Sequence, residues 1–227
     1  MKKSIQIIAT AFVMLFVKSA FGQNDTIYFM KDGLVVHKQP VNPSDVDSAI
    51  FYNPNSTATV LAVGDLAHGG IVAYILQSGD VGYDANVQHG LIAAPTDQSD
   101  GVAWGCYGTL ISGADGTAIG TGSQNTADIL AGCSGTNIAA YLCDTLTLGG
   151  YNDWFLPSKD ELNKLYENIG QGNALGLGNI GGFAASSYWS STEYDNSNAW
   201  TQYFNVGNQY SYYKPSNYFN VRAVRAF

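Results

Sequence analysis

Residues 149–162 read Gly149-Gly150-Tyr151-Asn152-Asp153-Trp154-Phe155-Leu156-Pro157-Ser158-Lys159-Asp160-Glu161-Leu162, and this stretch decides the fold. Ser158 followed three residues later by Glu161 is a capping box. The hydroxyl accepts one orphan N–H of the first turn, and the carboxylate reaches back to the cap's own N–H. Pro157 stands just before the cap, and Leu162, Leu165 and Ile169 continue as an apolar stripe at helical spacing. Asp153 is expected to hold the loop before the helix by local hydrogen bonds, and Trp154 to be buried.

Outward from this helix, shorter elements appear on both sides. On the N-terminal side, Asn125 is a plausible N-cap for a helix through Leu130, and Asn137 for another through Cys143. A glycine-rich loop covers 112–123, and apolar runs at 69–76 and 90–94 read as strands. On the C-terminal side, 188–191, 199–204 and 219–225 read as strands, joined by connectors dense in Asn, Ser and Tyr. Strands, then short helices, then strands predict an α+β domain rather than a βαβ repeat. No internal repeat of fixed period is visible.

The first residues carry Lys2 and Lys3, an apolar run over 5–17 and the small-residue site Ser19-Ala20-Phe21-Gly22, as a secretory signal does. We therefore expect residues 1–22 to be a signal peptide cleaved before Gln23. The apolar run is shorter than the roughly 20 residues of a membrane span, so no membrane insertion is expected after cleavage. Residues 23–55 form a small β module, with strands around Lys31-Asp32-Gly33 read as a hairpin and a third strand over 46–52. Residues 56–227 form the main domain.

Removing Lys2, Lys3 and Lys18 leaves seven basic residues against eighteen acidic ones, a net charge of −11 for the mature chain. Such a surface repels phosphate and sulfate polymers, which argues against nucleic acid as a partner. Cys106, Cys133 and Cys143 allow one disulfide and one free thiol. Cys133–Cys143 is the favoured pair, because one follows a predicted helix and the other lies late in the next; Cys106–Cys143 is the alternative. Their spacing matches no zinc pattern.

Several segments together carry a resemblance: Gly69-Gly70-Ile71, 89–94, Gly120-Thr121-Gly122 with Asn125-Thr126, Ala139-Ala140, 149–158 with Glu161-Leu162, Tyr188-Trp189-Ser190-Ser191-Thr192-Glu193 and 221–225. In this order they resemble the bacterial domain found at the carboxy end of a collagen-like adhesin, a family of the C-type-lectin-like fold group. The resemblance covers roughly 65–227. It implies a compact domain with neighbouring chain ends, two helices, small twisted antiparallel sheets and long ligand-bearing loops, in a secreted or cell-surface protein. It also implies adhesion and carbohydrate recognition. Two departures stand out. This chain is acidic where the adhesin domain is thought to meet sulfated polymers through basic residues, and the Glu-Pro-Asn and Gln-Pro-Asp calcium triplets of animal lectins are absent.

The stretch 194–220 combines large amphipathic tyrosines with adaptable amides and hydroxyls, a composition shared with antibody-type binding loops. Candidate ligand residues are Tyr194, Asn196, Asn198, Tyr203, Asn205, Asn208, Tyr210, Tyr212, Tyr213, Asn217 and Tyr218. The expected partner is a glycan or a cell-surface protein, and a structural role in a surface appendage is the third reading. The bias also resembles lectin-fold segments diversified by retroelements. Glu193, Asp195 and Asn198 form an oxygen cluster that could take calcium, with Asp97, Asp100 and Asp115 within loop reach. Arg222 or Arg225 is expected to pair with Glu193 or Asp160. His37, His68 and His89 are scattered outside any nucleophile motif, so no enzyme is expected.

Overall fold

The computed structural model describes the strand backbones 25–31 and 34–41, then residues 60–216 and 218–227. The chain divides into two compact units, Met1–Val60 and Leu61–Phe227. In the first, strands β1 (Asp25–Lys31) and β2 (Leu34–Val41) pair antiparallel, with an irregularity between Phe29 and Met30. The expected leader and the third strand over 46–52 lie outside the described residues.

The second unit runs β3 (Leu66–Ala67), β4 (Gly70–Ile75), β5 (Gly90–Ala93), β6 (Ser99–Val102), α1 (Gly122–Gly132), α2 (Ala139–Asp144) and α3 (Lys159–Ile169). It continues with β7 (Ser187–Glu193), β8 (Asn198–Tyr203), β9 (Gln209–Tyr213), β10 (Phe219–Val221) and β11 (Val224–Ala226). One antiparallel sheet has the order β11-β5-β4-β3, and a second has the order β6-β10-β7-β8-β9, with β10 parallel to β7. The α+β class stands.

The capping box forms as the sequence dictates: Ser158 Oγ accepts the Glu161 N–H at 3.3 Å, and Glu161 accepts the Ser158 N–H at 2.7 Å. Glu161 does more than cap. It is buried, and its other oxygen accepts the Gly120 N–H at 2.8 Å, so one carboxylate ties the entries of α1 and α3 together. Burial pushes its carboxyl up from the ordinary range, and N–H donors from Ser158, Gly120 and Gly122 pull it back down. A Cβ on Gly122 would stand 2.2 Å from Glu161 Oε2, so this close approach needs glycine. Gly149 serves the same purpose nearby, where a Cβ would come within 2.3 Å of Gly69 Cα.

This carboxylate also explains a shifted helix start. α1 begins at Gly122 with Thr121 at the N-cap, so Asn125 is not the cap. Asn125 lies inside the helix, buried, donating to Gly116 O at 2.6 Å and Ser191 Oγ at 3.2 Å. In α2 the N-cap position falls on Ile138 rather than Asn137. The run expected as one strand over 219–225 breaks at Arg222-Ala223 and feeds both sheets. Its arginines consequently face different partners from those expected. Arg222 pairs with Asp97 at 2.7 Å, and Arg225 pairs bidentately with Asp153 at 2.7 and 2.8 Å. The Arg225 guanidinium holds the Asp153 carboxyl below its usual range.

The disulfide joins Cys106 to Cys133, not Cys133 to Cys143. Cys143 is a buried free thiol facing the core from α2, where burial pushes its pKa up. The bond pins the loop after β6 to the end of α1, with the two Cα atoms 5.6 Å apart. Trp104, Trp154 and Trp189 fill the core, and Trp104 and Trp189 keep their indole N–H groups satisfied by Ser190 O and Val102 O, each at 2.8 Å.

Two outcomes follow from this frame. Peptide mapping without reductant should recover Cys106 linked to Cys133, with Cys143 alkylated only after denaturation; a Cys133–Cys143 peptide would refute the pairing. Glu161→Gln turns an amide nitrogen towards N–H donors and should cost about 2–3 kcal/mol in urea unfolding, whereas a change under half a kcal/mol would show that the carboxylate does not hold the two helix entries.

Candidate binding surface

β8 and β9 form a hairpin at one edge of the five-stranded sheet, and it carries four exposed tyrosines, Tyr203, Tyr210, Tyr212 and Tyr213. Register places Ala199 opposite Tyr212, Thr201 opposite Tyr210, and Asn198 opposite Tyr213. Because strand side chains alternate, Tyr203, Asn208, Tyr210 and Tyr212 share one face. Asn198, Trp200 and Tyr213 share the other. The candidate residues therefore divide between two surfaces and do not converge on one.

On the first face, Tyr203, Tyr210 and Tyr212 are 40%, 55% and 50% exposed. Asn208 donates to Tyr210 Oη at 3.0 Å, and the Tyr212 ring stands edge-on to Phe219 at 4.7 Å. Phe219 in turn packs edge-on against the core Trp189 at 4.8 Å. Tyr212 is thus backed by the core, while Tyr210 and Tyr203 lie open. Asn205 is exposed in the turn beyond, and Tyr218 is exposed between β9 and β10. Asn217 lies outside the described residues.

The second surface is a corner where the β7–β8 turn meets the disulfide loop. Tyr194 stands edge-on to Trp200 at 5.3 Å, and Lys159 Nζ sits 3.8 Å above the Trp200 ring. Tyr107, exposed on the disulfide loop, packs against Tyr213 at 4.8 Å. The Gly108 N–H donates to Asn196 O at 2.8 Å and joins the loop to the turn. Sequence reasoning missed Tyr107, since nothing local marks it; the signal is the disulfide that carries its loop here.

Beneath this corner lies the buried Lys214–Glu193 ion pair. Lys214 Nζ also donates to Thr109 O at 3.1 Å and sits 4.7 Å above the Trp104 ring. Glu193 accepts the Ile111 N–H, at 3.1 and 3.0 Å to its two oxygens, and its own N–H donates to Ala114 O at 2.7 Å. These contacts brace the loop after β6 against the ends of β7 and β9.

The expected calcium cluster is divided by the same pair. Glu193 turns inward to an ammonium, while Asp195 stays in the turn and accepts N–H donors from Ser197 and Asn198, each at 2.7 Å. Those donors hold the Asp195 carboxyl below its usual range, and the Asn198 amide donates to it as well. Asp97 serves Arg222, Tyr188 and Asn220 instead. Among the described residues no group of three or more His, Cys, Asp or Glu is placed to hold a metal, and no helix is long and apolar enough to cross a membrane.

The molecule is thus defined as a disulfide-bonded α+β domain that presents aromatic and amide side chains on a braced hairpin. The chain belongs to the Lcl C-terminal domain family, whose match covers residues 94–225 and so takes in α1, α2 and α3, the disulfide and the hairpin. Both the family and the disulfide are compatible with an extracellular protein. No curated protein matches the sequence.

Lys214→Met should cost about 3–5 kcal/mol in chemical unfolding, because it strands the Glu193 carboxylate inside the domain. Combining it with Glu193→Leu should recover part of that loss. If the double variant is no more stable than Lys214→Met alone, the stranded charge is not the cause.

Proposed function

We propose that this protein is an exported, non-catalytic binding module of C-type-lectin-like build that holds carbohydrate on the Tyr203–Asn208–Tyr210–Tyr212 face of its hairpin, in an adhesin-like role. The observation that carries the reading is three exposed tyrosines and an amide aligned on one face of a core-backed hairpin. Aromatic faces stack on the apolar faces of sugar rings, and amides and phenol hydroxyls satisfy sugar hydroxyls. The lectin-like assignment is supported by the first and last strands of the unit, β3 and β11, lying in one sheet, which brings its ends to one region. Export is supported by the signal-like N-terminal sequence and by the disulfide.

A protein ligand is the second reading, and the corner favours it. Tyr107, Tyr194, Trp200 and Tyr213 form a cluster of amphipathic anchors of the kind that concentrates affinity at protein interfaces.

A glycan array probed with the purified protein, with calcium and again with a chelator, tests both. The expected result is a defined glycan class bound equally in both conditions, since Glu193 and Asp195 are already engaged. Tyr210→Ala and Asn208→Ala should each weaken that binding about tenfold, and Tyr213→Ala should leave it near wild type. A blank array, or a hit lost through Tyr213→Ala but untouched by Tyr210→Ala, would overturn the assignment to this face.

A further inference from the structure

β9 is an outer strand of the five-stranded sheet, bonded only to β8. The phase of its hydrogen bonds follows from the hairpin's two ends, where the Tyr203 N–H donates to Asn208 O and the Lys214 N–H to Ser197 O. Bonded and non-bonded pairs alternate along an antiparallel ladder. With the register unbroken between, Tyr210 and Tyr212 turn their backbone groups inward to β8, and Gln209, Ser211 and Tyr213 turn theirs outward. Among the described residues, none bonds to the outward N–H or C=O of Gln209 or Ser211.

Native edges are ordinarily blunted by charge, proline, bulges or shortness. The other edges of this unit follow that rule. β6 is four residues long, carries Asp100 and Gly101, and pairs with an irregular register. β3 has two residues, and β11 has Phe155 bonded along Val224. β9 reads Gln209-Tyr210-Ser211-Tyr212-Tyr213, with no charge, no proline and no bulge in its register. It is an open edge in a chain that carries a net charge of −8.

We infer that β9 pairs antiparallel with β9 of a second copy of this chain, on a two-fold axis through Ser211. Self-complementarity singles out this occupant. About Ser211 the strand is nearly symmetric: Ser211 meets Ser211 of the second copy with both outward groups exchanged, Gln209 meets Tyr213, and Tyr210 meets Tyr212. Tyr213 offers its N–H alone, because its C=O accepts the Ser216 N–H at 3.0 Å. The smallest side chain falls on the axis, where a residue must stand directly opposite its own copy. The absence of charge on the edge lets two acidic molecules meet without like charges directly opposed. Pairing makes one ten-stranded sheet from two five-stranded ones and sets two rows of Tyr210 and Tyr212 side by side. The inference concerns backbone pairing and holds whatever the tyrosine face binds.

Two five-residue edges bury less than about 1,000 Å², so the dimer is weak and reversible, with a dissociation constant of about 10–100 µM. Sedimentation of the full chain from about 1 to 300 µM brackets that range and should show the mean mass rising from one chain towards two. Ser211→Pro removes an outward N–H that β8 does not use, as edge positions tolerate, and each dimer loses two bonds, weakening association about tenfold or more. Ser211→Lys and Ser211→Glu place like charges face to face and should each give monomers, while an equimolar mixture of the two should associate again. Circular dichroism matching wild type keeps these variants informative. A chain monomeric throughout the series, a dimer unaffected by all three substitutions, or a charge-swapped mixture that stays monomeric would each overturn the inference.

Discussion

Taking an ammonium out of water costs several kcal/mol unless an anion and acceptors replace its hydration. Lys214 meets that requirement with Glu193, the Thr109 carbonyl and the face of Trp104. The partners come from the loop after β6, the end of β7 and the end of β9, segments more than a hundred residues apart at their extremes. No one of them could bury its polar group without the others. The pair therefore fixes where the disulfide loop lies against the hairpin, and with it the position of Tyr107 beside Tyr213. The exposed corner inherits its geometry from a charge contact wholly beneath it.

Glu161 works in the same manner on the other side of the sheet, with N–H groups in place of a cation. Its oxygens take the Ser158 and Gly120 N–H groups, and glycine at 122 allows the approach. α3 then lies under the five-stranded sheet with Lys159 above Trp200 and its carbonyl accepting from the Gln209 amide. Two buried carboxylates, one ion-paired and one N–H-bound, thus hold the frame from which a polar hairpin projects. A hairpin supported this way can present tyrosines and amides to solvent without giving up its own order, a condition for binding without a large ordering cost.

Local chemistry made α3 legible, because a capping box and an apolar stripe are complete within a dozen residues. The β4 and β7 strands were legible for a similar reason: their β-branched and aromatic residues name a buried strand without help from elsewhere. β9 was not. Its Tyr and Ser residues sat in what reads as a connector, yet tyrosine suits a pleated, half-exposed surface, and β8 supplies the ladder that makes the strand. Asn125 misled for the opposite reason, as a good N-cap by type that a distant carboxylate places inside the helix.

The sequence by itself determined the α+β class, the helix from Ser158, the acidic charge and the concentration of tyrosines and amides in 194–220. Tertiary structure alone decided which of those tyrosines share a face, which cysteine Cys133 meets, and that Glu193 faces Lys214 and Arg222 faces Asp97. The division has one physical cause. Composition, capping and periodicity act over a few residues and are written locally. Pairing of charges, thiols and strands depends on which distant segments the closing of two sheets brings within a few ångströms.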